Sequence, residues 1–226
     1  MKTETAYDGV IAVSTPGEKN PAFLDQPTER GSVQRWWQTK GMEVALLGVD
    51  GVGKTSVAEA LWQQLPRVRV IAMGSAHFLC VSQKRAFKHL VPWPVQQLLM
   101  HGERLVRRWL GAFLAWRGWL VVYDRHPLEQ FNTQPSCLKH RVNNCLFRLY
   151  GWPVDLAFWL TGAHEIVFAR KQELSVERLR ILDERILDVL HRCHIEHHKL
   201  NVTERSLASV VHAVLREVSL KYKFSQ

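Results

Sequence analysis

The chain has 226 residues, of which 46% are hydrophobic and 23% are charged, and its formal net charge is +9. This balance suits one α/β domain of ordinary size and favours anionic partners such as nucleotides, nucleic acids or acidic membrane surfaces. Four scattered cysteines without a C-x-x-C pair exclude a disulfide framework and a zinc finger, so we expect reduced thiols in a cytoplasmic protein.

Targeting and membrane-spanning segments are not predicted either. Residues 1–20 lack a basic start followed by an apolar core, which is the pattern of a secretory signal. The most apolar region, residues 98–123, is interrupted by five charged residues, which excludes an ordinary membrane-spanning helix. Nine tryptophans, several of them in this region, leave open a peripheral membrane contact or a protein partner, including a homodimer. No nucleic-acid-binding motif accompanies the charge, so we predict no specific nucleic-acid partner.

The predicted elements begin after a polar stretch. Residues 1–40 carry several prolines and no sustained hydrophobic period, which indicates a loosely ordered N-terminal extension. From residue 41 to residue 226 we expect one domain in which short apolar runs alternate with helical patterns. Strands are predicted at 43–47, 68–72, 119–123, 155–160 and 199–202, and helices at 56–65, 96–116, 163–170, 175–194 and 204–220. This alternation predicts an α/β fold with a parallel sheet and right-handed crossovers.

The longest predicted helix, residues 96–116, is amphipathic. Its apolar positions are Leu98, Leu99, Leu105, Trp109, Phe113 and Leu114. Since an amphipathic helix of a globular protein buries its apolar side, we expect this helix to pack that side against the sheet.

The strongest motif lies between the first strand and the first helix. Residues 48–55 read G-V-D-G-V-G-K-T, which matches the phosphate-binding pattern G-x-x-x-x-G-K-[S/T]. The glycines allow backbone N–H groups to point at an anion, at the positive end of the helix dipole. We expect Lys54 to reach the β- and γ-phosphates of a nucleotide and the Thr55 hydroxyl to bind Mg²⁺. The predicted nucleotide-binding residues in this motif are Gly48, Asp50, Gly51, Val52, Gly53, Lys54, Thr55 and Ser56.

A second candidate site, Asp124-Arg125, follows the third predicted strand. Ligands of open α/β sheets bind at the carboxyl ends of the strands. Asp124 is therefore a candidate for Mg²⁺ binding or for accepting a proton, and Arg125 is a candidate for holding a phosphoryl group. A structural ion pair is the alternative interpretation of these residues.

A third candidate site, Arg170-Lys171, lies between two predicted helices. A mobile basic segment at such a place can close over a nucleotide and neutralise charge as the phosphoryl group moves, so we predict a lid near residues 170–180. Arg170 would be its catalytic residue and Lys171 a nucleotide-binding residue, while solvated surface cations are the alternative. Four histidines and a cysteine within residues 191–198 are interpreted as a solvated helix end rather than a metal site.

Together these motifs resemble the thymidylate kinase family of P-loop nucleoside monophosphate kinases, and in particular its divergent bacterial thymidylate-kinase-like branch. The resemblance covers about residues 41–217 and rests on segments 47–55, 123–126 (Y-D-R-H), 154–160 and 169–174 (A-R-K-Q-E-L). It implies a three-layer P-loop NTPase fold, in which a five-stranded parallel sheet is flanked by helices, with ATP as donor and Mg²⁺ as cofactor.

The resemblance also implies roles for single residues. Lys54 and Thr55 would serve the donor phosphates and the metal, and Asp50 would contact the acceptor. Arg125 would hold the acceptor phosphate beside Asp124. Arg170 and Lys171 would belong to the lid.

The reaction implied by the resemblance is phosphoryl transfer from ATP to a nucleoside monophosphate, with thymidylate (dTMP) as the first guess. This sequence departs from the family after the second strand, where an E-P-G-G-type segment that shapes the acceptor site is replaced by M-G-S-A-H-F at residues 73–78. Two other functions therefore remain open. One is a P-loop kinase that acts on a sugar or a lipid-linked intermediate, and the other is a nucleotide-binding regulatory module without turnover.

Overall fold

The computed structural model describes residues 41–74, 92–131, 138–172 and 174–224. The predicted N-terminal extension, residues 1–40, lies outside the described residues. So does the segment 75–91, which includes most of the departure from the family at residues 73–78. All of the candidate site residues predicted from the sequence fall within the described ranges.

A five-stranded parallel sheet forms the centre of the described part of the chain. Its strands are β1 (Met42–Leu47), β2 (Val68–Ala72), β3 (Leu120–Asp124), β4 (Leu156–Thr161) and β5 (His197–Asn201), in the order β2-β3-β1-β4-β5. Strand β1 is central because it pairs with β3 on one side and with β4 on the other, so that Leu46 lies opposite both Asp124 and Phe158. The predicted parallel sheet is confirmed, and each strand lies within two residues of its predicted place.

Helices connect the strands and cover both faces of the sheet, as predicted. The described helices are α1 (Lys54–Gln64), α2 (Trp93–Trp116), α3 (Leu138–Arg148), α4 (His164–Arg170), α5 (Val176–Arg192) and α6 (Leu207–Phe224), with a 3₁₀ turn at Pro127–Gln130. Ser175 caps α5, since its Oγ accepts a hydrogen bond from the backbone N–H of Arg178 at 3.4 Å. No helix within the described ranges is long and apolar enough to cross a membrane.

The strands face two separate apolar cores because successive side chains of a strand point to opposite faces of the sheet. In β1, Val44 and Leu46 face a core that includes residues of α1 and α6. Ala45 and Leu47 face the other core, which includes residues of α2 and α5. Strands β1, β3 and β4 are almost completely buried and read as nearly continuous apolar runs, which is the reason that the sequence located these three well.

Helix α2 packs on the sheet with its polar side, the reverse of the expectation from the sequence. The residues on its buried side are His101, Arg104, Arg108, Gly111 and Ala115. Four of the apolar residues expected to be buried, Leu98, Leu99, Trp109 and Phe113, are between 42% and 65% exposed. The prediction is wrong for these four because hydrophobic periodicity shows which residues share a face and not which way that face points.

Arg108 fixes the position of α2 on the sheet. Its guanidinium is completely buried and donates to Glu43 Oε1 at 2.9 Å and to the Trp152 carbonyl at 3.1 Å. It also lies over the Tyr123 ring, and the Tyr123 hydroxyl donates to the same Glu43 carboxylate. Burial raises the pKa of Tyr123, so that it remains a donor. Since losing one partner of such a buried ion pair costs about 3–5 kcal/mol, these contacts set the rotation of α2 about its axis.

Candidate active site

The segment between β1 and α1 is a glycine-rich loop that leads directly into the helix. Gly51 and Gly53 have φ values of 89° and 96°, in the left-handed region that residues with a Cβ rarely adopt. Gly53 is also the residue that precedes the first turn of α1. The motif predicted from the sequence therefore has the backbone conformation and the helix N-terminus that an anion site requires.

Lys54 lies beneath this loop and is only 5% exposed. Its Nζ donates to the carbonyl oxygens of Gly48 and Val49, the latter at 3.1 Å. The ammonium group also lies 3.6 Å from Glu129 Oε1. These contacts hold the charge of Lys54 at the loop.

Thr55 and Asp124 meet because β1 and β3 are neighbours in the sheet and end at the same edge. Thr55 Oγ1 donates to Asp124 Oδ2 at 2.8 Å. The second carboxylate oxygen, Asp124 Oδ1, is buried and has no hydrogen-bond partner among the described residues. A hydroxyl and a buried carboxylate with a free oxygen are hard oxygen ligands of the kind that Mg²⁺ binds, so these two residues fit the predicted metal site.

Arg125 turns toward the phosphate loop and pairs with Asp50 at its tip. The guanidinium contacts both carboxylate oxygens, with Nη2–Oδ1 at 2.6 Å and Nη1–Oδ2 at 3.3 Å. Arg125 has a φ of 65°, a left-handed conformation that is uncommon for a residue with a side chain. The pairing offsets the negative charge of Asp50, which would otherwise oppose an anion at the loop, and both side chains are about one-third exposed.

The predicted lid residues lie at the end of α4. A Cβ at Gly51 would lie 3.2 Å from the Cβ of Lys171, so Lys171 is against the phosphate loop. Arg170, the last residue of α4, is exposed. Of the remaining predicted residues, Val52 is buried in the core under the loop, and Ser56 is exposed in the first turn of α1.

Glu129, in the 3₁₀ turn after β3, is a residue of the site that the sequence analysis does not identify. Its Oε1 accepts a hydrogen bond from the Gly48 N–H at 3.0 Å and faces Lys54. Burial raises the pKa of Glu129 to about 7, although the neighbouring Lys54 ammonium lowers it. The Glu129 carboxylate thus contacts the Gly48 N–H and the Lys54 ammonium, and both are groups of the kind that bind phosphate oxygens. No local motif signals this contact, since only the folded chain brings the turn to the loop.

The histidines near the end of α5 do not form a metal centre. Within the described part of the chain there is no group of three or more His, Cys, Asp or Glu side chains arranged to bind a metal ion. His191 and His197 contact each other through their rings, and His197 Nδ1 lies 2.9 Å from the Ile195 carbonyl oxygen. Helix α5 ends at Arg192, whereas His197 and His198 are the first two residues of β5 and not part of a helix end.

The fold and its phosphate loop define the class of protein, which is an α/β protein with a P-loop kinase-like fold. No protein-family model matches the sequence, and no curated protein matches it. The chain is similar in structure to thymidylate kinase from Candida albicans, with a TM-score of 0.54 and 15% identity, over 81% of this chain and 94% of that chain. It is also similar to thymidylate kinase from Ehrlichia chaffeensis, with a TM-score of 0.50 and 14% identity, over 79% of this chain and 98% of that chain. At these identities, the likeness establishes the fold alone.

Proposed function

We propose that this protein is a kinase that uses ATP and Mg²⁺ to phosphorylate a nucleoside monophosphate, with dTMP as the first candidate acceptor. The observation that carries the proposal is the convergence of Lys54, Thr55, Asp124 and Arg125 at the carboxyl ends of β1 and β3. Phosphoryl transfer requires mainly positioning and neutralisation of charge, and these four side chains supply both.

The donor side of the reaction depends on the phosphate loop. The backbone N–H groups of residues 48–55 and the Lys54 ammonium would bind the β- and γ-phosphates. Thr55 and Asp124 would hold Mg²⁺, which when bound offsets the negative charge of the phosphates. The hydrogen bond between Thr55 and Asp124 orients both oxygen ligands before the nucleotide arrives.

The acceptor side depends on Arg125. Its planar guanidinium suits bidentate binding of a phosphate, but Asp50 occupies it in this structure. A dianionic acceptor phosphate would compete with the Asp50 carboxylate for the same donors, and Asp50 would then be free to contact an acceptor hydroxyl. Lys171, and Arg170 next to it, would add positive charge beside the loop tip as a lid.

The choice of acceptor follows from the comparison with solved structures. The solved structures from Candida albicans and Ehrlichia chaffeensis are thymidylate kinases, which makes dTMP the first candidate. The Candida albicans enzyme is described as having broad substrate specificity. Because residues 73–78 depart from the family segment that shapes the acceptor site, a panel of acceptors is a better test than dTMP alone.

An ATP-coupled screen of nucleoside monophosphates, with dTMP first, tests the proposal. We expect formation of a nucleoside diphosphate that requires Mg²⁺. Transfer to a sugar and to none of the nucleoside monophosphates would instead support a kinase with a non-nucleotide acceptor. ATP binding without transfer to any acceptor would support a regulatory module, and either outcome overturns the proposal.

The position of Glu129 predicts how ATP binding depends on pH. Bound polyphosphate disfavours the charged form of Glu129 and so raises its pKa above the value of about 7 in the free protein. We therefore expect the affinity for ATP to fall as the pH rises above 7, by up to about tenfold per pH unit. Glu129→Gln keeps an oxygen for the Gly48 N–H without the charge, so its affinity should stay constant and exceed that of the wild type at high pH.

Calorimetric titration of ATP between about pH 7.5 and about pH 9 measures this dependence, in a range well above the second phosphate pKa of about 6. Glu196→Gln is the matched control, because Glu196 is exposed and pairs with Lys221 away from the loop. The assignment of the pH dependence to Glu129 fails if Glu129→Gln and Glu196→Gln lose affinity equally as the pH rises.

A further inference from the structure

Asp183 on α5 joins that helix to the end of strand β4. It is 6% exposed, and its carboxylate accepts from Trp159 Nε1 at 2.7 Å through Oδ1 and from the Thr161 hydroxyl at 2.8 Å through Oδ2. Trp159 and Thr161 belong to a strand that is buried along its whole length. Because both donors are held by the sheet, the Asp183 carboxylate is held in one position as well.

His164, the first residue of α4, faces this carboxylate without a hydrogen bond to it. Its Nε2 lies 3.5 Å from Asp183 Oδ2, and this nitrogen is buried and has no hydrogen-bond partner among the described residues. A buried polar atom without a partner is uncommon in a folded protein. An approach of about 0.5 Å would give an ordinary N–H···O hydrogen bond to the carboxylate, so the contact is nearly formed.

The same side of α4 reaches the phosphate loop at the other end of the helix. His164, Val167 and Lys171 are spaced three and four residues apart, so they share one side of α4. A Cβ at Gly51 would lie 3.4 Å from Val167 Cγ1 and 3.2 Å from the Lys171 Cβ. Helix α4 therefore connects the Asp183 carboxylate with the loop that the proposed function assigns to the nucleotide.

From these contacts we propose that His164 is a positioning residue for ATP. When the phosphates bind, they attract the Lys171 ammonium and draw α4 toward the loop. His164 Nε2 then donates to Asp183 Oδ2, and this hydrogen bond holds Lys171 beside the phosphates. The inference rests on the proposed function, since it concerns the lid of the same nucleotide site.

A purely structural role explains this arrangement less well. A hydrogen bond that stabilises only the fold would be formed in the free protein, whereas the His164–Asp183 contact is not. Asp183 does not need the contact, because both of its oxygens already accept from β4. The unsatisfied atom belongs to His164, on the short helix that ends at the predicted lid.

Substitutions of His164 test the hydrogen bond. Glutamine can place an N–H donor where the histidine Nε2 lies, whereas leucine has no donor. We expect His164→Leu to weaken ATP binding about tenfold, which is the effect of one hydrogen bond to a charged group, and His164→Gln to stay within about twofold of the wild type. Calorimetric titration of ATP measures the affinity. His191→Leu is the matched control, since His191 is exposed at the C-terminal end of α5.

Two further measurements separate positioning from a structural role. The free proteins His164→Leu and His164→Gln should melt at the same temperature, because the hydrogen bond is absent without nucleotide. In a Lys171→Ala background, His164→Leu should weaken ATP binding by less than about twofold, because the hydrogen bond acts through Lys171.

Equal affinities of His164→Leu and His164→Gln for ATP would overturn the inference. So would a loss in His164→Leu that adds in full to the loss in Lys171→Ala, or a His164→Leu protein that melts earlier than His164→Gln but binds ATP as the wild type does. Each of these outcomes leaves the proposed function intact, because the wild-type chain still binds ATP. A wild-type chain that binds no ATP would overturn both.

Discussion

Lys54→Ala is expected to lower kcat/KM for ATP by about 1,000-fold, equivalent to about 4 kcal/mol of transition-state stabilisation. The ammonium group of Lys54 is the only side-chain cation that the structure holds directly under the phosphate loop within the described residues. In the proposed mechanism its loss removes a positive charge that would neutralise the phosphates during transfer.

A coupled assay with saturating acceptor measures this effect. Lys199→Ala is the matched control, since it removes one positive charge from the exposed surface of β5, where Lys199 lies over the Trp159 ring. Circular dichroism must show that Lys54→Ala is folded, because Lys54 also donates to loop carbonyls. A folded Lys54→Ala protein with the turnover of Lys199→Ala would refute the mechanism.

Asp124→Asn is expected to lower kcat by about 100-fold or more and to raise the Mg²⁺ concentration needed for half-maximal activity at least tenfold. Asparagine keeps an oxygen that can accept from Thr55, so the hydrogen bond and the shape of the site are retained. What is lost is the charge of a buried carboxylate whose second oxygen has no partner among the described residues. If Asp124→Asn changes the Mg²⁺ dependence of the activity without lowering the stability of the fold, then Asp124 is a metal ligand and not a residue that only stabilises the structure.

Measuring the activity as a function of Mg²⁺ concentration compares Asp124→Asn with the wild type. Asp155→Asn is a suitable control, because Asp155 accepts from the Glu43 N–H at 2.8 Å at the opposite end of the strands. This control should keep the Mg²⁺ dependence of the wild type. If Asp124→Asn also keeps it, the metal is not bound by Asp124, and Asp124 has only a structural role as the acceptor of the Thr55 hydroxyl.

The parts of the site that follow from local sequence are predicted well. The positive φ values of the phosphate loop favour glycine, so the glycines within residues 48–55 predict the backbone conformation of the loop. Strand β3 is a continuous apolar run that ends in Asp124, and parallel neighbours end at a common edge. Sequence reasoning alone therefore places Asp124 and Arg125 near the loop.

Features of the structure that depend on tertiary contacts are either not predicted from the sequence or predicted in the wrong orientation. Glu129 lies in a short turn without a motif, and its raised pKa exists only because the fold buries it beside the loop. The direction in which α2 faces is set by Arg108 and its buried partners, whereas the periodicity of α2 suits either direction. In both cases a charged side chain is largely removed from solvent, although residues of these types are mostly exposed in proteins.

The order of strands in the sheet has a consequence for how the protein reaches its native state. The central strand has no neighbour close to it in sequence, since Val44 pairs with Val122 and with Leu156. Pairings between strands that are distant in sequence make folding slow. During synthesis, the phosphate loop around Gly48 cannot reach its final environment until β4 has been synthesised. A ligand that binds only the finished loop should then stabilise the native state, by an amount that grows with the logarithm of the ligand concentration once this exceeds the dissociation constant.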